Sequence, residues 1–293
     1  MEGVQPKGLG EEARVFDLAD RRIFRIGGED RVRYLNGQVT QDVRRLRLGD
    51  GLPACVTNAK GKLQAVVCLA EAREGGGIWL EVETELAGAL KERLERYVVA
   101  DDVVIEDESD RWSLLHVLEC SPVEMKGFSD LEAVRMERLG EVGWDVWMPQ
   151  EERECRLGAW GGRFASVEEW EWLRVSRGIP VWGRELDEET LPPEAGLDRT
   201  HIDYHKGCYV GQEVISRLKS VGRVNRTLIR LRGGVLPEAG ARLLGGDGEV
   251  GRVTSAVGMM GGVMGGVMAL AYVKRGVELQ EFEVEGAGRF SRV

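Results

Sequence analysis

The chain has no Cys-x-x-Cys pair, no apolar run near the roughly 20 residues that span a bilayer, no glycine-rich nucleotide fingerprint and no excess of positive charge. Each absence excludes something. Its five cysteines, Cys55, Cys68, Cys120, Cys155 and Cys208, are odd in number and widely scattered. That pattern excludes a disulfide framework and a zinc site, and it fits a reducing compartment. A permanently held iron–sulfur cluster wants a compact set of thiolates, so none is expected. No membrane span is expected, and Met1 to Lys7 lacks the apolar stretch of a signal peptide, so a cytoplasmic location is expected. Lys and Arg total 40 against 50 Asp and Glu, a formal net charge of −10. Duplex binders draw much of their affinity from neutralising phosphates, so no direct nucleic-acid partner is expected.

With 293 residues and 43% hydrophobic content, the chain can form one large domain or two to three smaller ones. Residues 1 to 14 read as a polar leader. Arg22–Ile26 reads as a strand and Glu29–Asn36 as a short helix, with Asp30 as N-cap and Gly37 as its stop. Leu52–Val56 and Leu63–Ala70 form a hairpin around Thr57-Asn58-Ala59-Lys60-Gly61-Lys62. A turn at Glu74–Gly77 leads to a strand at Ile78–Val82. Leu86, Leu90 and Leu94 mark an amphipathic helix over Thr84–Val98. Val103–Glu106, Trp112–Leu118, Ala133–Arg138 and Val142–Met148 read as further strands. Ser166 to Glu169 has capping-box spacing and opens a helix through Arg177, which Gly178 and Pro180 end. Trp170 and Trp172 on this helix read first as core anchors. Leu191–Leu197 is proline-rich and irregular. From Val224 onward, short strands between Gly and Pro turns suggest a small all-β domain, with strands at Leu228–Leu231 and Met268–Val273. Gly258 to Met268, rich in Met and Gly, reads as a loose loop. Strands mixed with isolated helices indicate an α+β class rather than a doubly wound sheet.

The least generic stretch runs from His205 to Arg217, His-Lys-Gly-Cys-Tyr-Val-Gly-Gln-Glu-Val-Ile-Ser-Arg. Gly207 and Gly211 let the backbone turn sharply around Cys208. A short helix follows, on which Glu213 and Arg217 stand at i,i+4 and can pair. Two readings of Cys208 stay open. A thiol near a helix N-terminus, with Lys206 two residues away, ionises below the usual value of about 8.5. Alternatively, Cys208 is a small buried apolar residue, the commoner fate of a free cysteine. His201 and His205 lie nearby, but a Cys–His pair needs a histidine that faces the thiol, which sequence proximity does not guarantee. The three residues lack the spacing of a ligand set, and no metal site is expected.

Lys206, Gly207, Cys208, Tyr209, Gly211, Gln212, Glu213 and Arg217 resemble the signature Lys-Gly-Cys-Tyr-x-Gly-Gln-Glu-x-x-x-Arg of the YgfZ family. These are folate-binding proteins related to the T-protein of the glycine cleavage system; members are linked to iron–sulfur enzyme maintenance and tRNA modification. The segment Tyr34–Val43 is similar to the Gly-Gln-Val-Thr-x-Asp-Val run near the start of such chains. Trp170–Pro180, Leu191–Leu197, Gly251–Ser255 and Ala269–Val273 are similar to further family segments. The resemblance implies a three-domain ring: two ferredoxin-like α+β domains, residues 12–50 plus 160–222 (binding folate) and 51–159, and a C-terminal β-barrel, residues 223–293.

It also implies tetrahydrofolate or another folate in a central opening, with Trp170, Arg21 and Tyr209 as contacts and Cys208 as a functional thiol. The sequence departs from the pattern in three places. Ser176 stands where the family helix has a glutamate. Arg21 stands near the place of a folate-contacting aromatic. Lys60–Val66 has no acid where the T-protein carries a functional aspartate. The implied function is a folate-binding accessory protein for iron–sulfur enzymes, which would be its partners together with cluster carrier proteins, and which would affect tRNA modification only indirectly. The alternative is a folate-dependent aminomethyltransferase or demethylase of the T-protein type.

Overall fold

The computed structural model describes residues 13–72, 76–222, 224–246, 248–258 and 266–293. The leader to residue 12, part of the turn at 74–77 and most of the Met–Gly loop lie outside the described residues. The chain divides into two compact units. The first takes in the residues up to Val56, Ala65–Ser166 and His205–Tyr209; the second takes in Thr57–Gln64, Val167–Tyr204 and Val210–Val293.

In chain order the first part of the sequence forms β1 (Arg14–Asp17), β2 (Arg21–Gly27), α1 (Arg31–Gln38), β3 (Gly51–Thr57), β4 (Leu63–Glu71), β5 (Ile78–Glu83), α2 (Thr84–Arg96), β6 (Val104–Asp107), β7 (Trp112–Leu118), β8 (Glu132–Met136), β9 (Gly143–Pro149) and α3 (Arg153–Trp160). One sheet has the order β3-β4-β5-β2-β6. Without its edge strand β3, this is the βαββαβ ferredoxin-like arrangement, with α1 and α2 as the crossovers. The alternation of buried and half-buried residues from Leu63 to Leu69 turns one face of β4 to the core. There Phe24, Ile26, Leu69 and Leu80 meet Leu35, Leu90 and Leu94 from the helices. Each such side chain contributes roughly 1.5–3 kcal/mol when fully buried. The sheet holds both β2 and β3, with β4 and β5 between them.

The second sheet, β1-β7-β9-β8, is ferredoxin-like only in part. The position of the last strand is taken by β1, from the start of the chain, and the first crossover holds only a short 3₁₀ turn at Pro122–Glu124. Trp79 of β5 stacks on Trp147 of β9 at 4.3 Å and meets Trp112 of β7 at 4.9 Å, which brings the two sheets face to face.

Asp30 stands at the N-cap of α1, as expected, although its carboxylate accepts from Asp102 N and not from a helix amide. The expected stop is corrected. Gly37 lies inside the helix, which ends at Gln38 because Val39 is extended.

The second unit holds α4 (Val167–Arg177), α5 (Gln212–Val221) and six strands: β10 (Arg226–Gly233), β11 (Arg242–Gly245), β12 (Gly248–Gly258), β13 (Val267–Lys274), β14 (Glu281–Val284) and β15 (Gly288–Arg292). The strands close into a barrel in the order β10-β13-β12-β11-β14-β15, since β10 pairs with both β13 and β15. Leu231, Leu243, Phe282 and Phe290 fill it. The segment expected to be irregular at 191–197 contains short 3₁₀ turns at Pro192–Ala195 and Leu197–Arg199.

Candidate functional site

The Cys208 segment enters the first unit for only five residues, His205–Tyr209. Within it the burial alternates sharply. Lys206 and Tyr209 are 6% and 7% exposed, whereas Gly207 and Cys208 between them face solvent. The result is a two-residue arch on two buried feet, with the thiol at its crest. Of the two readings of Cys208, the buried one is corrected: the side chain is exposed.

Lys206 reaches the end of α1. Its ammonium donates to the carbonyl oxygens of Asn36, Val39 and Gln41 at 2.7, 2.7 and 2.5 Å. Helix ends leave carbonyls without intrahelical partners and carry partial negative charge. The last turn of α1 has no basic residue of its own. The amide of Thr40, which would continue the helix ladder to Asn36, donates to Cys55 O instead. Lys206 fills both gaps and also lies over the Tyr209 ring at 5.2 Å. Nearby, Arg44 and more weakly Lys206 hold the Asp42 carboxyl below the usual carboxylate range.

The rest of the motif belongs to the second unit. Gly211 precedes α5 with φ +90°, a region that penalises any Cβ. A Cβ there would lie 2.5 Å from Asn58 O and 2.7 Å from Thr57 Oγ1. Thr57 Oγ1 donates to Val210 O at 2.6 Å, so the hairpin loop is seated against the start of α5. Gly61 packs on Val214 and Ile215 of the same helix. Gln212 is half-buried at the first turn. The expected pair Glu213–Arg217 forms at 2.9 Å with both side chains largely in solvent, which makes it worth only about 0.3–0.5 kcal/mol. The hairpin loop brings one further carboxylate into view: Glu189, ion-paired with Lys62.

Trp170 is half-buried on α4, a helix that packs against β10, β12 and β13. The anchor of α4 is Arg174, fully buried. Arg174 bonds to Glu171 at 2.7 Å, Glu185 at 3.1 Å and Ser255 Oγ at 2.8 Å. Ser255 follows a register shift in β12, where Thr254 is the extra residue. Ser176, in the place of the family glutamate, bonds back to Leu173 O at 3.1 Å. Burial pushes the His201 imidazole down to a pKa of about 4, and its Nδ1 lies 2.8 Å from Thr200 Oγ1.

Arg21 sits in a buried ionic chain that sequence reasoning missed. Its guanidinium contacts Glu81 at 3.1 Å and Glu83 at 3.4 Å. Glu81 continues to Arg138 at 2.8 Å, Arg138 to Asp145 at 2.7 Å, and Asp145 to His116 Nδ1 at 2.8 Å. Burial alone would raise the Asp145 carboxyl, but Arg138 and His116 hold it low. The Cys68 thiol beside this chain is pushed up to about 12 by burial. Gly143 was the available sequence signal: any Cβ there would strike the His116 ring at 2.6 Å.

Two cavities lie away from the arch. One, of about 690 Å³, opens on the barrel between Arg184, Arg226, Arg252, Lys274 and Tyr272. Its three arginines are paired with Glu171, Glu194 and Glu249. The other, of about 620 Å³, lies in the first unit near Asp50, Ser121, Arg135 and Trp144. Neither is lined by Cys208, Trp170, Tyr209 or Arg21. Among the described residues, no group of three or more His, Cys, Asp or Glu side chains could hold a metal ion, and no helix is long and apolar enough to cross a membrane.

No family model matches the chain. Among solved structures it is similar to the glycine cleavage system aminomethyltransferase T from Bartonella henselae, with a TM-score of 0.77 over 97% of this chain and 85% of that one, at 19% identity. The heterotetrameric sarcosine oxidase from Corynebacterium sp. U-96 overlaps 53% of this chain and 88% of that one at 12% identity, with a TM-score of 0.26, too low to mark a common fold. The chain therefore has the multi-domain α+β fold of the aminomethyltransferase T, with its closed C-terminal barrel.

Proposed function

We propose that the chain is a folate-binding accessory protein of the YgfZ type that supports iron–sulfur enzymes, with Cys208 as its working thiol. The observation that carries this reading is the arch: a motif cysteine held in solvent between two buried neighbours, in an aminomethyltransferase-like fold. A thiol kept only for packing would be buried. Folate, as tetrahydrofolate or a related form, is the ligand, and Trp170 on α4 offers the half-buried aromatic face that a flat heterocycle needs. Client enzymes or cluster carriers meet the protein through Cys208. The influence on tRNA modification runs through those enzymes. The segment Lys60–Val66 contains no carboxylate, which argues against aminomethyl transfer.

Two measurements test this. Titration with tetrahydrofolate should quench the tryptophan fluorescence, and Trp170→Phe should remove most of the quench; an unchanged spectrum rejects folate binding at α4. Cys208→Ala should fold and bind folate normally but fail to restore an iron–sulfur enzyme in cells lacking the protein. Full restoration would discard the thiol's role. The second reading, a T-protein-type transferase or demethylase, draws on the fold likeness and on Glu189 at the hairpin loop. Turnover of a methylamine donor with tetrahydrofolate, lost in Glu189→Gln, would establish it.

A further inference from the structure

We propose that Lys206 is the positioning residue of the thiol: it acts as a latch that fixes the arch to the end of α1. The inference deepens the reading of Cys208 as the working group and rests on it, but its test does not.

The argument begins with donors and acceptors. An ammonium has three N–H bonds, and Lys206 meets three main-chain carbonyls within 2.7 Å. A buried ammonium is costly unless it is fully hydrogen-bonded. Here the compensation comes from the end of a helix and from the Tyr209 ring. The ammonium thus donates to Asn36, Val39 and Gln41. These carbonyls belong to the segment Asn36–Gln41, while Lys206 and Tyr209 are the two feet of the arch. The same three bonds therefore finish α1 and hold Cys208 at the surface. With the latch gone, the five-residue excursion keeps one buried foot, and the carbonyls lose their donor.

A planar guanidinium presents its donors in a flat fork and cannot reproduce three converging bonds from one nitrogen. Lys206→Arg therefore keeps the charge and loses the latch, whereas Lys206→Met loses both. The variants are made in a Cys155→Ser background, so that Cys208 is the reactive exposed thiol. Two readouts are followed: amide hydrogen exchange at 36–42 and 205–209, and the pH profile of Cys208 alkylation by iodoacetamide. Both substitutions should raise exchange in the two segments together by about ten- to a hundredfold, the scale of lost charge-assisted hydrogen bonds. Exchange in the barrel should stay the same, and the midpoint of the alkylation profile should not move. A midpoint that rises in Lys206→Met but not in Lys206→Arg, with exchange unchanged, overturns the proposal and makes Lys206 a thiol activator. Wild-type exchange in Lys206→Arg overturns it as well, and does so even if Lys206→Met fails to fold. Loss of cellular function on Cys208→Ala is a separate result, so the latch and the thiol's role stand or fall independently.

Discussion

A methyl group on the α-carbon of residue 211 would lie 2.5 Å from a carbonyl oxygen, on a backbone with φ +90°. Gly211→Ala should therefore destabilise the chain by about 1–3 kcal/mol, read as a lower urea midpoint at unchanged slope. A pH effect is also expected at residue scale. His201 has its pKa lowered from 6.5 to about 4 by burial, so the folded chain holds it neutral where the unfolded chain protonates it. Between those two values the unfolded state binds more protons, and stability rises with pH. The contribution is complete above pH 6.5 and is lost as pH falls toward 4, at most about 3 kcal/mol. Urea midpoints between pH 7 and pH 5 should fall less in His201→Gln than in the parent.

At the scale of elements, α4 shows how a charge can be part of a core. Arg174 is buried with Glu185, so Arg174→Ala leaves a carboxylate with neither solvent nor its cation, at a cost of about 3–5 kcal/mol. The double change Arg174→Met with Glu185→Leu should recover much of that loss in the same denaturation assay. If it is as unstable as the single variant, the cost lies in packing instead. The same element scale shows what was legible beforehand. Strand β4 and helix α2 follow from periodicity, because each turns a regular apolar face to a core, whereas β7 follows from a continuous buried run. Strand β1, of which only Arg14 falls in the leader, has no sequence signal because it is four residues long and its partner β7 lies a hundred positions away. Helix α3 is hard to see in the sequence because it is only eight residues long and its apolar contacts, Leu157 and Trp160, make too short a stripe. Gly37 was read as a stop, yet the helix passes through it and is finished by Lys206, far away in the sequence.

At the scale of the whole molecule, the motif around Cys208 was visible because eight fixed positions stand together in the sequence. The chain from Arg21 to His116 was not, because its members come from β2, β5, β7, β9 and the β8–β9 connection and meet only when two sheets face each other. The excess of acidic residues has its own consequence. With a formal charge of −10, the chain should not shift transfer RNA in a gel at low salt, where phosphate contacts are strongest. A salt-sensitive complex would overturn the proposal that any influence on tRNA modification is indirect.

The carbonyls of Asn36 in α1 and of Val39 and Gln41 just beyond it receive a donor placed 165 to 170 residues later in the chain. At typical synthesis speeds of about 5–20 residues per second, that gap lasts roughly 10–30 s on the ribosome. During this interval the newborn segment 36–41 lacks the ammonium that later donates to it. A nascent chain halted before codon 206 would carry every strand of its first sheet and still lack the group that completes its opening helix.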